Sequence, residues 1–267
     1  MKRISIVTPS YNQGDYLEAT IESVLSQGIP GLEYIIMDGG STDQSVEIIR
    51  KYEKYLAYWQ SQPDGGQTQA IIEGFRRASG DVLAWINSDD LYEPGTLAKV
   101  QREFDANPQL ELLYGDYSLL YPGGRKVAKP KISFDFSITL HAFLMIPQPS
   151  SFWSRGLYEA VGGLNPKYQF AFDYDLFLRF GKYLEDRPEA IRHVHDLWSQ
   201  FRVHDTSKSV SLQERFMPEY EAILAQFGVP ARGLMRDLRK NAALVKTLLR
   251  YYQERGFIPV RKAAGKA

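Results

Sequence analysis

The feature that most constrains the fold of this chain is a short apolar segment followed by two adjacent carboxylates. Residues 82–86 read Val-Leu-Ala-Trp-Ile, with Gly80 before them and Asp89 and Asp90 shortly after them. An apolar run of this length between turn-forming residues predicts a buried strand. Neighbouring carboxylates repel each other unless a cation or hydrogen-bond donors share their site. A divalent cation that also binds substrate phosphates would meet this need; the alternative is that these polar residues cap the next helix.

Strand and helix patterns alternate along the first 114 residues. The predicted strands span residues 4–7, 32–37, 55–60, 82–86 and 110–114. A helical pattern follows each of the first four strands, and Asp15 with Glu18 matches a capping box at the start of the first helix. This alternation predicts an α/β domain with a doubly wound, mostly parallel sheet flanked by helices.

Polar residues stand where each of the first four predicted strands ends. They are Thr8 and Tyr11 after the first strand, Asp38 after the second, Asp64 after the third, and Asp89 and Asp90 after the fourth. The carboxyl ends of the strands in an open parallel sheet border one crevice, so these side chains predict a nucleotide site. The sequence contains neither the glycine-rich fingerprint of a dinucleotide fold nor that of a P-loop.

The alternation becomes less regular after residue 116. Residues 122–124 (Pro-Gly-Gly) predict a turn between two antiparallel strands, and residues 197–203 predict a late strand that ends at His204. From residue 211 onward the chain is predicted to be helical. We therefore expect an α/β domain over residues 1–209, with halves at 1–116 and 117–209, and a helical C-terminal extension over residues 210–267.

The last predicted helix, residues 234–255, is amphipathic and basic. It carries six basic residues and two acidic ones, a net charge of +4, whereas the 32 basic and 32 acidic residues of the whole chain cancel. A helix of this kind can lie on an anionic membrane surface. The alternative is that its apolar face packs on the domain or on a second subunit and leaves its charges in solvent.

Composition excludes several classes of protein. A balanced net charge argues against nucleic acid as the partner, and the absence of cysteine excludes disulfides and thiolate metal sites. No apolar run approaches the ~18 residues that a transmembrane helix needs, and the N-terminal residues lack the apolar region of a signal peptide. We expect a cytoplasmic protein, which would be peripheral at the inner face of the membrane if the last helix binds lipid.

Six short motifs follow one another in an order typical of a single enzyme family. They are Val7-Thr8-Pro9-Ser10-Tyr11-Asn12, Asp38-Gly39-Gly40-Ser41-Thr42-Asp43, Ser61-Gln62-Pro63-Asp64-Gly65-Gly66, Ala78-Ser79-Gly80-Asp81, Asn87-Ser88-Asp89-Asp90, and Gly162-Gly163-Leu164 with Asp173-Tyr174-Asp175. In this set the chain resembles the inverting nucleotide-sugar glycosyltransferases of family 2, which have the GT-A fold. The resemblance implies a GT-A domain over residues 1–209 and does not extend to the C-terminal helices.

The resemblance also implies roles for the residues of the predicted crevice. Thr8 and Tyr11 would line the pocket for the base, Asp38 and Asp64 would contact the base or ribose, Asp89 would bind the ribose, and Asp90 would bind Mg²⁺ or Mn²⁺. Such an ion neutralises the charge that builds on a departing nucleoside diphosphate. Taken singly, Thr8 and Tyr11 are ordinary turn and packing residues, and Asp38 and Asp64 are helix-capping residues.

An inverting transfer needs a base that removes a proton from the acceptor hydroxyl. In the family this base is a carboxylate at the start of the helix after the Gly-Gly loop, which here is Asp173, with Asp175 as the alternative. Both aspartates also suit the N-terminal dipole of a helix. His204 matches a position where many GT-A enzymes have a further metal or phosphate ligand, although a lone histidine is commonly a surface or core residue.

Two positions depart from the family pattern. Gly39 replaces a second carboxylate that often helps to recognise uracil, and Phe172 replaces a glutamate before the base. A UDP-sugar remains the favoured donor, and the expected acceptor is a hydroxyl of a glycan, lipid-linked or protein substrate in the assembly of a surface polysaccharide or glycosylated protein. A sugar nucleotidyltransferase would need basic residues after the first strand, which are missing; a non-catalytic sugar-nucleotide-binding module would have no use for both Asp90 and Asp173.

Overall fold

The protein is described by a computed structural model that covers residues 1–205, 207, 213–230 and 233–254. The strands are β1 (Ile4–Ser10), β2 (Glu33–Asp38), β3 (Tyr58–Ser61), β4 (Val82–Trp85), β5 (Leu91–Tyr92), β6 (Leu112–Leu120), β7 (Lys126–Lys129), β8 (Ser151–Ser154) and β9 (Ile191–Arg202). The helices are α1 (Gly14–Leu25), α2 (Ser45–Tyr52), α3 (Gln67–Arg77), α4 (Thr96–Ala106), α5 (Phe136–His141), α6 (Arg155–Ala160), α7 (Phe172–Tyr183), α8 (Gln213–Gln226) and α9 (Leu234–Glu254).

All nine strands belong to one sheet. Its order is β3-β2-β1-β4-β8-β6-β9-β5, with β7 paired to β6. Strands β1 to β4 are mutually parallel, as are β6 and β9, whereas β8, β7 and β5 pair antiparallel with their neighbours. The expected doubly wound, mostly parallel sheet is therefore confirmed, and so is the antiparallel hairpin around residues 122–124.

Side chains alternate between the two faces of the sheet and form a hydrophobic core on each. One core joins β1, β2 and β4 to helices α1, α2 and α4 through residues such as Ile6, Ile21 and Val100. The other core joins the opposite face to α3, α7 and α8 through residues such as Phe75 and Phe177. Strands that are apolar on both faces and that alternate with amphipathic helices produce this three-layer arrangement, because each face of the sheet must be covered.

Several element boundaries differ from the predictions. Strand β6 continues to Leu120 and crosses the expected division between residues 116 and 117, and β9 begins at Ile191 rather than near residue 197. The capping box expected at Asp15 and Glu18 does not form. Helix α1 has Gln13 at its N-cap without a side-chain hydrogen bond, and Glu18 pairs with Lys51 of α2 instead.

The C-terminal helices pack against the sheet domain. Helix α8 places Ile223 and Leu224 in the core that contains α7. Helix α9 lies against α5 with its polar side: Lys246 and Arg250 form ion pairs with Asp135, and Ala243 is buried. Part of the expected extension, residues 210–212, 231–232 and 255–267, lies outside the described residues.

The apolar face of α9 points away from the domain. Seven large apolar residues along this face are at least 38% exposed, namely Met235, Leu238, Leu244, Val245, Leu248, Leu249 and Tyr252. The expectation that this face packs on the domain is therefore wrong within the single chain, because the domain is contacted by the polar side of the helix. No helix among the described residues is both long enough and apolar enough to cross a bilayer.

Candidate active site

A cavity of about 730 Å³ opens at the carboxyl end of the parallel strands. Tyr11 follows β1, Asp64 follows β3, and Asp89 follows β4, and all three line this cavity. Asp173, in the first turn of α7, lines it as well. Four of the eight residues selected from the sequence are thus brought together at the switch from parallel to antiparallel strands, where α/β sheets bind ligands.

Thr8, Asp38 and Asp90 are buried beside the cavity and are not part of its lining. The hydroxyl of Thr8 lies 3.0 Å from that of Tyr34. The carboxylate of Asp38 accepts hydrogen bonds from the hydroxyls of Ser41 and Ser61, both at 2.6 Å, and from the backbone N–H groups at Gly40 and Ser41. Direct contacts of Thr8 and Asp38 with a base or ribose are not supported by this geometry. Thr8 joins β1 to β2, and Asp38 holds the loop that follows β2.

The two adjacent carboxylates differ sharply in environment. Asp90 is 1% exposed, and its Oδ1 accepts a 3.0 Å hydrogen bond from the backbone N–H of Arg202. Burial, and next the charge of Asp89, raise the pKa of Asp90 well above its usual range. The side chain of Asp89 is 21% exposed, and its Oδ2 lies 2.9 Å from Nε2 of His204. His204 therefore contacts Asp89, whereas the side chain of Asp90 points into the protein interior.

The loop that carries these carboxylates is held by neighbouring elements. The hydroxyl of Thr20 in α1 donates hydrogen bonds to the backbone carbonyls of Ser88 and Asp90, at 2.9 and 2.8 Å. The Nε of Arg202 donates to the carbonyl of Asp89 at 2.9 Å, and the ring of His204 lies 4.4 Å from that of Tyr16. A carboxylate oxygen is a suitable ligand for Mn²⁺ or Mg²⁺, and an imidazole nitrogen favours Mn²⁺ of the two because Mg²⁺ prefers oxygen ligands.

The two aspartates of α7 are in different positions relative to the cavity. Asp175 is fully buried, and its Oδ2 pairs with Arg179 Nη2 at 2.5 Å. Asp173 borders the cavity, and burial is the main cause that raises its pKa to about 6, with a smaller contribution from the charge of Glu219. A carboxylate with a pKa near the working pH, and with access to the cavity, is suited to act as a general base.

Glu219 in α8 fixes the segment that leads into α7. Its carboxylate accepts three backbone hydrogen bonds of 2.8 Å, from the N–H groups of Gln169, Phe170 and Ala171. Because these residues immediately precede α7, Glu219 sets the position from which Asp173 projects. Nothing in the sequence between residues 210 and 230 indicated this contact, because a lone glutamate on a helix is usually solvated.

Asp64 occupies the space that a side chain at position 39 would need. A Cβ added to Gly39 would lie 3.1 Å from Oδ2 of Asp64. The Oδ1 of Asp64 accepts a 2.7 Å hydrogen bond from the N–H of Gly66, which orients the carboxylate. Gly39, which departs from the family pattern, thus leaves room for the carboxylate of Asp64 in the same part of the pocket.

Three further residues of the cavity were not selected from the sequence. Gln148 donates to the carbonyl of Trp85 at 2.7 Å, and Gln67 donates to the side chain of Asn87 at 2.8 Å. Lys131 also lines the cavity, and burial lowers its pKa to about 8. Gln148 begins a single 3₁₀ turn and Lys131 lies in an irregular segment, so no periodic pattern distinguishes them from surface residues.

The comparisons with known proteins agree with this geometry. The profile of glycosyl transferase family 2 matches residues 5–113. An uncharacterized glycosyltransferase of Mycobacterium tuberculosis is 32% identical over 197 residues, which cover 72% of either chain. The chain belongs to glycosyl transferase family 2. As a family 2 glycosyltransferase it is an enzyme that takes a nucleotide-sugar donor.

Solved structures share the fold of this glycosyltransferase at low sequence identity. S. aureus TarS in complex with UDP-GlcNAc is 19% identical, with a TM-score of 0.68 over 96% of this chain and 75% of that one. The mannosyltransferase PcManGT from Pyrobaculum calidifontis, in complex with GDP-Man and Mn²⁺, is 17% identical, with a TM-score of 0.62 over 93% of this chain and 70% of that one. Both likenesses cover the C-terminal helices as well as the sheet.

Proposed function

We propose that this glycosyltransferase inverts the anomeric centre of the sugar that it transfers, with Asp173 as the general base. The observation that carries the proposal is that Asp173 and Asp89 line the same cavity. Asp173 takes the proton of the acceptor hydroxyl, whose oxygen forms the bond to the anomeric carbon as the bond to the diphosphate breaks. The pKa of about 6 leaves Asp173 largely ionised at neutral pH, as this step requires.

Asp89 and His204 are the residues that we propose as protein ligands of Mn²⁺ or Mg²⁺. A bound divalent ion would stabilise the negative charge of the leaving nucleoside diphosphate. Asp89 and His204 fit this role because their ligand atoms lie 2.9 Å apart beside the cavity. Asp90, the ligand expected from the sequence, is better suited to hold Arg202 and the carboxylate loop in place, because its oxygens face the interior.

Tyr11 and Asp64 form the part of the cavity that we assign to the nucleoside. Tyr11 is 62% exposed, and its ring offers a face on which a base can stack. Asp64, held by Gly66, can accept hydrogen bonds from a base or from ribose hydroxyls. A UDP-sugar is the donor we favour, and the acceptor is a hydroxyl of a glycan, lipid-linked or protein substrate in polysaccharide assembly.

A hydrolysis screen of nucleotide sugars tests this function. The purified chain is incubated with UDP-, GDP- and dTDP-sugars, with Mn²⁺ and with a chelator, and the released nucleoside diphosphate is measured. We expect Mn²⁺-dependent release from UDP-sugars, and none above background with the chelator. Release of pyrophosphate on incubation with a sugar phosphate and a nucleoside triphosphate would indicate a nucleotidyltransferase. Tight donor binding without turnover of any donor, in the presence of candidate acceptors, would indicate a binding module.

We propose that the exposed apolar face of α9 packs against a second copy of this chain. Lys246 and Arg250 are paired with Asp135 on the domain side, so they do not border the apolar face as lipid-binding bases would. The face also lacks Trp and Phe. A helix of 21 residues is about 31 Å long and could supply much of the ~800 Å² per partner of a stable interface.

Sedimentation velocity tests this interface. We expect wild-type protein to form dimers at micromolar concentration, and the double variant V245E/L248E to be monomeric, because two buried charges would oppose apolar contact. Lys240→Glu, an exposed change on the same helix, is the matched control and should leave the dimer intact. Monomeric wild-type protein that floats with anionic vesicles would instead assign this face to a membrane surface.

A further inference from the structure

A second cluster of metal-ligating side chains lies on β6 and β9, apart from the pair Asp89 and His204. It consists of Asp116, His193 and His195, each of which offers one ligand atom within 4.8 Å of the other two. The pairing of β6 with β9 is irregular at this place: Gly115 pairs with Val194, but Asp116 pairs with Leu197. The two extra residues on β9 form a bulge, and bulges commonly redirect a side chain at a functional position.

The ligand atoms are of the kinds that zinc prefers. Nε2 of His193 lies 2.9 Å from Oδ1 of Asp116, and the ring centroids of His193 and His195 are 4.3 Å apart. Zn²⁺ binds imidazole nitrogens at about 2.0–2.1 Å and carboxylate oxygens at about 2.0–2.2 Å, in tetrahedral sites. Three protein ligands, with one of them exposed, would leave a fourth position for water or another ligand.

Burial limits how His193 can bind an ion. Its side chain is only 2% exposed, and its Nδ1 has no hydrogen-bond partner among the described residues. Its Nε2 faces Asp116, so an ion shared by these two residues would bind at Nε2. Nδ1 would then remain for the outer hydrogen bond that a metal-ligating histidine usually donates.

The surroundings of the cluster restrict the motion of two of its members. The ring of Tyr114 stacks on His193, with centroids 4.6 Å apart and an angle of 6° between the planes. The backbone N–H of Lys131 donates a 2.7 Å hydrogen bond to Oδ1 of Asp116. His195 is exposed, so an ion can approach from solvent.

We propose that Asp116, His193 and His195 form a second metal site that takes Zn²⁺ or a similar transition-metal ion. Imidazole-rich sites favour such ions over Mg²⁺, whose preferred ligands are oxygens. Because Asp116 also holds the backbone of Lys131, the bound ion would stiffen the cavity wall that Lys131 forms. This proposal does not depend on the proposed catalytic roles of Asp89 and Asp173.

Cobalt and zinc binding to untagged protein comprising residues 1–267 tests the second site. The background is Asp89→Asn, which weakens the first site, and binding is followed by visible absorption of Co²⁺ and by calorimetry with Zn²⁺. We expect one equivalent of metal to bind with a tetrahedral cobalt spectrum. His193→Gln or His195→Gln in this background should weaken binding at least about 100-fold.

His141→Gln serves as the matched control, because it removes a histidine outside the cluster, and it should leave binding unchanged. His195 is exposed, so His195→Gln leaves the core intact and its result decides the matter even if His193→Gln fails to fold. Equal metal affinity in the background protein and in its His195→Gln variant would overturn the proposal. The absence of a cobalt spectrum from the background protein would overturn it as well.

Discussion

Replacing Asp173 with asparagine is expected to lower the rate of sugar transfer by about 10²–10⁴-fold, the usual contribution of a positioned base. Asparagine preserves the size of the side chain but cannot accept the proton of the acceptor hydroxyl. Binding of the nucleotide-sugar donor should remain close to that of the wild type, because Asp173 acts on the acceptor. Transfer is measured as product formed per enzyme at saturating donor, and donor affinity by calorimetry.

Asp175→Asn is the matched control for this experiment. Asp175 pairs with Arg179 and does not border the cavity, so its loss should lower the melting temperature while the folded fraction keeps most of its activity. Near-normal transfer by Asp173→Asn, together with loss of transfer in correctly folded Asp175→Asn, would identify Asp175 as the base.

The pH dependence of kcat/KM provides a second readout of the same group. Because the ionised form is the base, kcat/KM should rise with pH and level off above the pKa of about 6. The raised pKa also affects stability in a defined direction. Folding favours the protonated carboxyl, so the contribution of Asp173 to stability is greatest below its unfolded pKa and declines as pH rises through about 6.

Replacing Asp89 with asparagine should reduce turnover on the order of 10²–10³-fold, as expected for the loss of a group that supports charge stabilisation in the transition state. Asp90→Asn is the informative comparison, because it changes the neighbouring carboxyl without altering its size. The raised pKa of Asp90 means that the charged form is disfavoured in the folded protein, so the neutral amide should be tolerated and metal affinity retained.

Mn²⁺-dependent binding of nucleoside diphosphate, measured by calorimetry with and without a chelator, distinguishes the two carboxylates. We expect the dependence on Mn²⁺ to disappear in Asp89→Asn and to persist in Asp90→Asn. If only Asp90→Asn loses the dependence on Mn²⁺, Asp90 is the metal ligand, as expected from the sequence, and the assignment to Asp89 is wrong.

The sheet and the location of the cavity were predictable from the sequence because both follow from local patterns. Strand β4 is an unbroken apolar run, and the polar residues after each parallel strand necessarily come to the same edge. Tyr11, Asp64 and Asp89 line the cavity for this reason, whereas Asp173 reaches it from the first turn of α7. The direction in which each side chain points was not predictable, because it depends on distant partners.

Asp38 and Asp90 illustrate this limit. Asp38 is engaged by Ser61, 23 residues away in sequence, and Asp90 by the backbone of Arg202, 112 residues away. No spacing rule connects such pairs. The orientation of α9 was missed for a related physical reason: a hydrophobic pattern identifies an apolar face, but ion pairs such as Lys246 with Asp135 can bring the opposite face against the domain.

The three hydrogen bonds of Glu219 make the C-terminal segment part of the frame that positions Asp173, the residue proposed as the base. The part of the chain that matches the family profile, residues 5–113, contains neither Asp173 nor the helix that holds its loop. Exchanging α8 for the corresponding helix of a relative would therefore also change how the proposed base is positioned. If Asp173 is the base, the rate of transfer would depend on this segment even when the residues that line the nucleotide pocket are unchanged.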